Sequence, residues 1–158
     1  MIDYFKKKKI LITGSSSGIG FGLAKKFSEL NSVVILNGKN LKKLKKKSKL
    51  IKNSSYVCAD ITNKKSLKKM ISKIKLKYKN IDILICNLGQ SNFKKNNLNF
   101  EHAFKMNFFS TLNTIDLATP ILKKNGGKIL CISSICGFEK INNAPLGYSL
   151  AKSSLNSY

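Results

Sequence analysis

Five short runs rich in β-branched and other apolar residues punctuate this chain, and none keeps up a polar/apolar alternation. They are KILIT (9–13), SVVIL (32–36), SYVCA (55–59), IDILIC (81–86) and GKILCISS (127–134). A strand with one wet face would alternate with a period of two. Runs that do not alternate belong in a sheet covered on both faces. The segments between them carry helical spacing instead. From Gly18 onward, Ile19, Leu23, Phe27 and Leu30 recur on one face. Leu41, Leu44 and Ile51 then form a stripe among lysines, which predicts a solvated helix. Leu67, Met70, Ile71, Ile74 and Tyr78 mark a third helix, with Thr62 as its expected cap. Phe100, Phe104, Leu112 and Ile115 outline a long helix that is expected to end before Pro120 and the Gly126-Gly127 turn.

Strands alternating with helices predict an α/β fold with a doubly wound, Rossmann-type parallel sheet. Right-handed crossovers give the strand order 3-2-1-4-5. Such sheets bind ligands at the carboxyl ends of their strands, where the order reverses between strands one and four. The polar and glycine-rich segments of this chain fall at those ends. No linker or repeat divides the 158 residues, so one domain spanning 1–158 is expected.

Charge is the loudest compositional feature: 30 basic residues against 7 acidic, a formal net charge of +23. Such a balance normally suggests nucleic acid or an anionic surface. All the basic residues are lysines, however, and readers of specific sequence depend on the bidentate contacts of arginine. Lysine here accompanies abundant Asn and Ile, the composition of an AT-rich coding sequence. No specific nucleic-acid partner is therefore expected, although weak phosphate binding at low salt follows from the charge alone. The four cysteines (Cys58, Cys86, Cys131, Cys136) include no Cys-x-x-Cys pair and accompany one histidine, His102. Three of the four fall inside the apolar runs and are read as small core hydrophobes, with no metal site. No apolar run approaches the ~18 residues of a membrane span. The basic start MIDYFKKKKILITG has too short an apolar run for a signal peptide, so a cytoplasmic location is expected.

After the first strand comes TGSSSGIG (13–20). Gly14 permits a tight exit from the strand. Gly18 and Gly20 let backbone amides and a helix N-terminus approach a pyrophosphate, and Ser15, Ser16 and Ser17 offer hydroxyl donors. A flexible Ser/Gly turn is the plain alternative. The second strand ends in NGKN (37–40), without the carboxylate that would accept from a ribose 2′-hydroxyl. Lys39 instead offers a cation to a 2′-phosphate, which favours NADP while leaving NAD possible. Asp60, followed by Ile61, ends the third strand, where a carboxylate can accept from an adenine amino group or cap a helix. Asn87 and Gly89 follow the fourth strand, and Gly89 would let backbone lie against a cofactor ribose. Asn107 is an amide within an apolar helix, read as a core lock or part of a water relay. The fifth strand leads into Ser133 and Ser134, and Tyr148 and Lys152 lie one helical turn apart. An ammonium beside a phenol stabilises the phenolate and prepares it for proton transfer.

In this order, Thr13-Gly14-x-x-x-Gly18-Ile19-Gly20, Asp60, Asn87-Leu88-Gly89, Asn107, Ser134 and Tyr148-x-x-x-Lys152 resemble the short-chain dehydrogenase/reductase family. The resemblance covers essentially the whole chain. It implies hydride transfer between a nicotinamide cofactor and a carbonyl or secondary alcohol. It assigns the tetrad to Asn107, Ser134, Tyr148 and Lys152: Tyr148 moves the proton and Ser134 orients the carbonyl. Lys152 supports Tyr148 and holds the nicotinamide ribose, and Asn107 fixes a water. By the same resemblance, Gly14, Ser16, Ser17, Gly18, Ile19, Gly20, Lys39, Asp60, Ile61, Asn87, Gly89, Tyr148 and Lys152 hold the cofactor. A homo-oligomer is implied for a full-length form. The family's Asn-Asn-Ala-Gly is Cys86-Asn87-Leu88-Gly89 here. Members run on the order of 250 residues as one α/β domain, so the chain is expected to be C-terminally incomplete, ending within the Tyr/Lys helix. A non-catalytic dinucleotide-binding fragment without a substrate pocket is the alternative reading.

Overall fold

The computed structural model of the chain describes residues 2–91, 100–122 and 126–158. The five apolar runs form β1 (Lys9–Ile12), β2 (Val33–Gly38), β3 (Ser54–Cys58), β4 (Ile83–Cys86) and β5 (Lys128–Cys131). All neighbouring pairs are parallel, and the order is β3-β2-β1-β4-β5, as expected. β1 lies at the centre, with Leu11 beside Ile35 of β2 and Leu84 of β4.

Successive strand side chains point to opposite faces, and each face has its own core. Leu11, Ile35, Leu84 and Cys86 pack under α3 (Lys64–Tyr78) and α5 (Ser110–Leu122). Ile10, Ile12, Val34, Leu36 and Ile85 pack under α1 (Gly18–Glu29) and α2 (Leu41–Ser48). Both faces are covered over the central strands β1, β2 and β4, which is why these read as unbroken apolar runs, whereas the edge strand β5 leaves Ile129 and Leu130 exposed. Ile10, Leu11 and Ile12 are fully buried, and each contributes about 1.5–3 kcal/mol of hydrophobic transfer. Two further helices complete the described chain, α4 (Phe100–Phe104) and α6 (Leu146–Ser157). A π-helical turn, Lys105–Phe109, joins α4 to α5.

Four local expectations change. α1 turns Gly20, Ala24 and Ser28 to the sheet, because small residues let a helix approach strands closely. Ile19 is left exposed. In α2 only Leu44 is buried; Ile51 reaches the core from the turn beyond, and Leu41 is exposed. α3 is capped by Asn63, whose side chain accepts from Ser66 N at 3.0 Å, while Thr62 bonds Asp60 instead. α5 does not stop before Pro120 but continues to Leu122. A proline removes the bond to the carbonyl four residues back. Here that is Asp116, which is exposed and can turn the carbonyl to water.

Candidate active site

Where β1 and β4 part, a cleft of about 550 Å³ opens at the carboxyl ends of the strands. Its floor is built by the loop after β1. Gly14 and Gly18 adopt φ of +60° and +55°, the left-handed region that glycine enters without strain. A Cβ on Gly20 would overlap the Asn87 amide, and one on Gly14 would come within 3.1 Å of Leu88 Cα. Bare backbone therefore lines this wall, as a closely held pyrophosphate requires. Thr13 ties the loop to β4, accepting at Oγ1 from Asn87 N at 2.9 Å and Leu88 N at 3.2 Å. Ser15 is fully buried and structural: its hydroxyl donates to Ile12 O at 2.7 Å and accepts from Asn37 N at 2.9 Å. Ser16 and Ser17 line the cleft, along with Gly14, Gly18 and Ile19. Gly20 lies behind them, buried against Asn87.

Lys39, Asp60 and Ile61 form the far wall. Asp60 Oδ1 accepts from Thr62 N at 2.9 Å and Thr62 Oγ1 at 2.7 Å. Burial pushes this carboxyl up, but the two Thr62 bonds and the ammonium groups of Lys39 and Lys105 outweigh it. They hold Asp60 below its ordinary range. Asn37, buried at the end of β2, donates to Val57 O and Ala59 O at 3.2 Å each, locking β3 beside the cleft.

The near wall holds the remaining candidates. Asn107 is fully buried in the π-helical turn. Its Oδ1 accepts from Gln90 N at 2.8 Å, and its Nδ2 donates to Gln90 O at 3.1 Å and Ala103 O at 3.0 Å. Gly89 lies against it: a Cβ there would stand 3.0 Å from Asn107 Oδ1 and 3.3 Å from Lys152 Nζ. Lys152 is 3% exposed, donates to Ile132 O at 2.7 Å, and its Nζ lies 5.9 Å from the Tyr148 ring centroid. Burial pushes Lys152 below its ordinary value, opposed by nearby Cys131. Tyr148 and Lys152 both line the cleft. Ser134 is not among the lining residues: its Oγ accepts from Cys136 N at 3.3 Å, capping a short turn (Ile135–Gly137). Ser133 does line the cleft, bonded to Asn156 Oδ1.

Asn37, Thr62, His102, Lys105 and Met106 also face the cleft and were not expected there. Asn37 left a signal, a polar residue at the end of an apolar strand. His102, Lys105 and Met106 arrive through α4 and the π-helical turn, which the 3.6-residue period does not describe. Among the described residues, no group of three or more metal-ligating side chains is present, and no helix is long and apolar enough to cross a membrane. Cys86 is buried as read, Cys131 and Cys136 are partly so, and Cys58 is exposed.

The short chain dehydrogenase family profile matches residues 8–158. The chain belongs to that family. Among curated short chain dehydrogenase relatives, the 3-oxoacyl-[acyl-carrier-protein] reductase FabG of Rickettsia typhi is 33% identical over 98% of this chain and 64% of its own length. The chain thus spans under two thirds of that relative. Among solved short chain dehydrogenase folds, the NADP complex of Pseudomonas aeruginosa RhlG superposes with a TM-score of 0.91. It shares 19% identity, over 99% of this chain and 67% of that one. The NADH-dependent reductase A1-R′ complexed with NAD gives 0.86 at 26% identity, over 99% of this chain and 72% of that one. Of these two solved structures, one holds NADP and the other NAD.

Proposed function

We propose that this chain supplies the cofactor site and proton-transfer residues of an NADP(H)-dependent oxidoreductase acting between a carbonyl and a secondary alcohol. One observation carries the reading: a lysine buried to 3% exposure, held by a backbone carbonyl, shares a cleft with Tyr148 and a glycine-walled phosphate loop. A buried ammonium is costly without a task or a partner.

The residues present fit a dinucleotide. Gly14, Ser16, Ser17, Gly18 and the N-terminus of α1 would hold its pyrophosphate, with Gly20 giving that approach room. Asp60 and Ile61 would hold the adenine, and Lys39 a 2′-phosphate. Asn87, Gly89 and Lys152 would hold the nicotinamide half, with Ile19 at the mouth. When bound, the nicotinamide supplies or takes up the hydride. Tyr148 donates its phenolic proton to the carbonyl oxygen during reduction and recovers it on oxidation. Lys152 supports Tyr148, whose proton transfer is worth about 10²–10⁴-fold as general acid–base catalysis. Ser134 orients the carbonyl through its hydroxyl hydrogen, which the bond accepted from the Cys136 amide leaves available. Asn107, with both amide hydrogens and one Oδ1 lone pair committed to Ala103 and Gln90, keeps the Gly89 backbone in place, and its second Oδ1 lone pair would hold the relay water. Lys39 favours NADP because its charge adds to that of Lys105 beside a single carboxylate. The reading includes 1–158 as one nucleotide-binding domain, a cytoplasmic location and a homo-oligomeric full-length form.

The test is turnover of NADPH with a panel of ketones that includes 3-oxoacyl thioesters, the group named by the Rickettsia typhi relative. Tyr148→Phe is expected to abolish turnover while leaving NADPH binding within a factor of about two. Turnover that survives Tyr148→Phe refutes the proton role. Binding without any turnover leaves a nucleotide-binding segment and overturns the catalytic reading. Equal affinity for NADPH and NADH removes the role given to Lys39.

A further inference from the structure

Two thiols end the neighbouring strands β4 and β5, and one of them, Cys131, lies near the buried Lys152. β4 ends in Cys86 and β5 in Cys131, and the register makes them direct neighbours. Adjacent strands run ~4.7–4.9 Å apart, inside the ~4.4–6.8 Å between Cα atoms that a disulfide spans. Both side chains belong to the same core face: Cys86 is part of the cluster under α3 and α5, and Cys131 packs against it. Each thiol perturbs the titration of the other. Each also borders the cleft through the next residue in the chain. Asn87 follows Cys86, and Ile132, whose carbonyl takes the Lys152 ammonium at 2.7 Å, follows Cys131.

The pair is chemically unequal. The bond from Cys86 and the Lys152 ammonium, against the opposing effect of burial, bring Cys131 down to about 7. The same shared bond, with burial, pushes Cys86 well above the ordinary thiol range. The sulfur with thiolate character is the attacking cysteine, and Cys86 resolves once oxidation of Cys131 removes the shared bond and the charge that help hold its proton.

We propose that Cys131 and Cys86 form a peroxide-sensitive dithiol that closes to a disulfide near Lys152 and weakens the hold of that lysine on the cleft. The Cys131 thiolate attacks one oxygen of hydrogen peroxide. An S–O bond forms, the O–O bond breaks, and the departing hydroxide takes the proton lost by Cys131 and leaves as water. The Cys86 sulfur then attacks the Cys131 sulfenic acid. The S–S bond forms, the S–O bond breaks, and hydroxide leaves with the Cys86 proton as a second water. The two cysteines lose two electrons, which reduce the peroxide. Closure draws the two Cβ atoms to about 3.5–4.5 Å, and Ile132 moves with its strand. Lys152 also loses the sulfur charge that favours its ammonium form. The effect on cofactor rests on the oxidoreductase reading; the thiol chemistry does not.

The test uses the whole chain carrying Cys136→Ser, so that tryptic peptide 129–140 holds one cysteine and peptide 80–94 holds Cys86. Peroxide is expected to link these two peptides with the loss of two hydrogens, and dithiothreitol to release them. NADPH affinity is expected to fall about tenfold on oxidation, within the ~5–150-fold usual for coupled sites, and to recover on reduction. Cys131→Ser in the same background is expected to abolish both the link and the peroxide effect. A link from Cys131 to exposed Cys58, or oxidation that leaves Cys86 a free thiol, overturns the dithiol. A peroxide effect on NADPH binding that persists in Cys131→Ser overturns the coupling. If the chain binds no NADPH in either state, the cofactor reading fails, and the peptide map still decides the thiol site.

Discussion

Asn107→Leu removes one side chain whose bonds can be counted. Leucine keeps the volume but loses the acceptor for Gln90 N and the donor to Gln90 O and Ala103 O, at 2.8, 3.1 and 3.0 Å. A net ~0.5–1.5 kcal/mol per bond gives about 1.5–4.5 kcal/mol for the three. Gln90 is exposed, so its two groups can turn to water and fall at the low end, whereas the bond to Ala103 is buried. The expected loss is therefore about 2–3 kcal/mol, roughly 4–12 °C in melting temperature for a domain of this size. The damage is also directional. Gly89 rests against both Asn107 Oδ1 and Lys152 Nζ, so its loop loosens towards the cleft. Thermal and urea unfolding measure the first effect, and NADPH titration by fluorescence measures the second, expected to weaken several-fold. A variant that melts within about 1 °C of the parent and binds NADPH unchanged would refute the reasoning, since a fully buried amide cannot lose three partners silently.

Gly20→Ala places a Cβ on the Asn87 amide, so the variant should fold less stably and lose most dinucleotide affinity; unchanged NADPH binding in a calorimeter would show that the loop yields freely. Lys152→Met removes a buried ammonium whose folded value is depressed. In the parent the unfolded chain therefore binds more protons across that window, and stability rises with pH. The methionine variant should melt higher near neutral pH, with an advantage that shrinks as pH climbs towards 10.5, while turnover is lost; an advantage that grows with pH would reverse the sign. Thr62→Val deletes one bond that lowers Asp60. The contribution of Asp60 is present above its unfolded value and lost as pH falls through the folded one, so the acid limb of NADPH binding should move to higher pH, as measured by titration from pH 3 to 7. An unmoved limb would remove Asp60 from the cofactor site.

Much of the fold was legible because it depends on local pattern. Leu11, Ile35 and Leu84 face one core while Ile10, Ile12 and Val34 face the other; a strand buried on both sides cannot hide that in its composition. The glycine loop after β1 was legible for a similar reason, since the positive φ of Gly14 and Gly18 restricts which residues can stand there. Boundaries set by side-chain competition were less so. Asn63 rather than Thr62 caps α3 because Asp60 already engages the Thr62 hydroxyl. Pro120 sits inside α5 because Asp116 is exposed.

The sequence by itself determined the alternation of strands and helices, the glycine loop and the residues able to do proton chemistry, all of which follow from short-range sterics and periodicity. Tertiary structure decided which of them meet. It turned Ser15 into a structural pin and put Ser133 in the cleft, with the Ser134 hydroxyl engaged by Cys136. It brought Lys105 near Asp60 through a π-helical turn. It also set Cys86 against Cys131 near Lys152. The 44 intervening residues carry no spacing rule, because the register of two strands joined by a helical crossover is fixed by how the whole layer packs and not by the strands themselves.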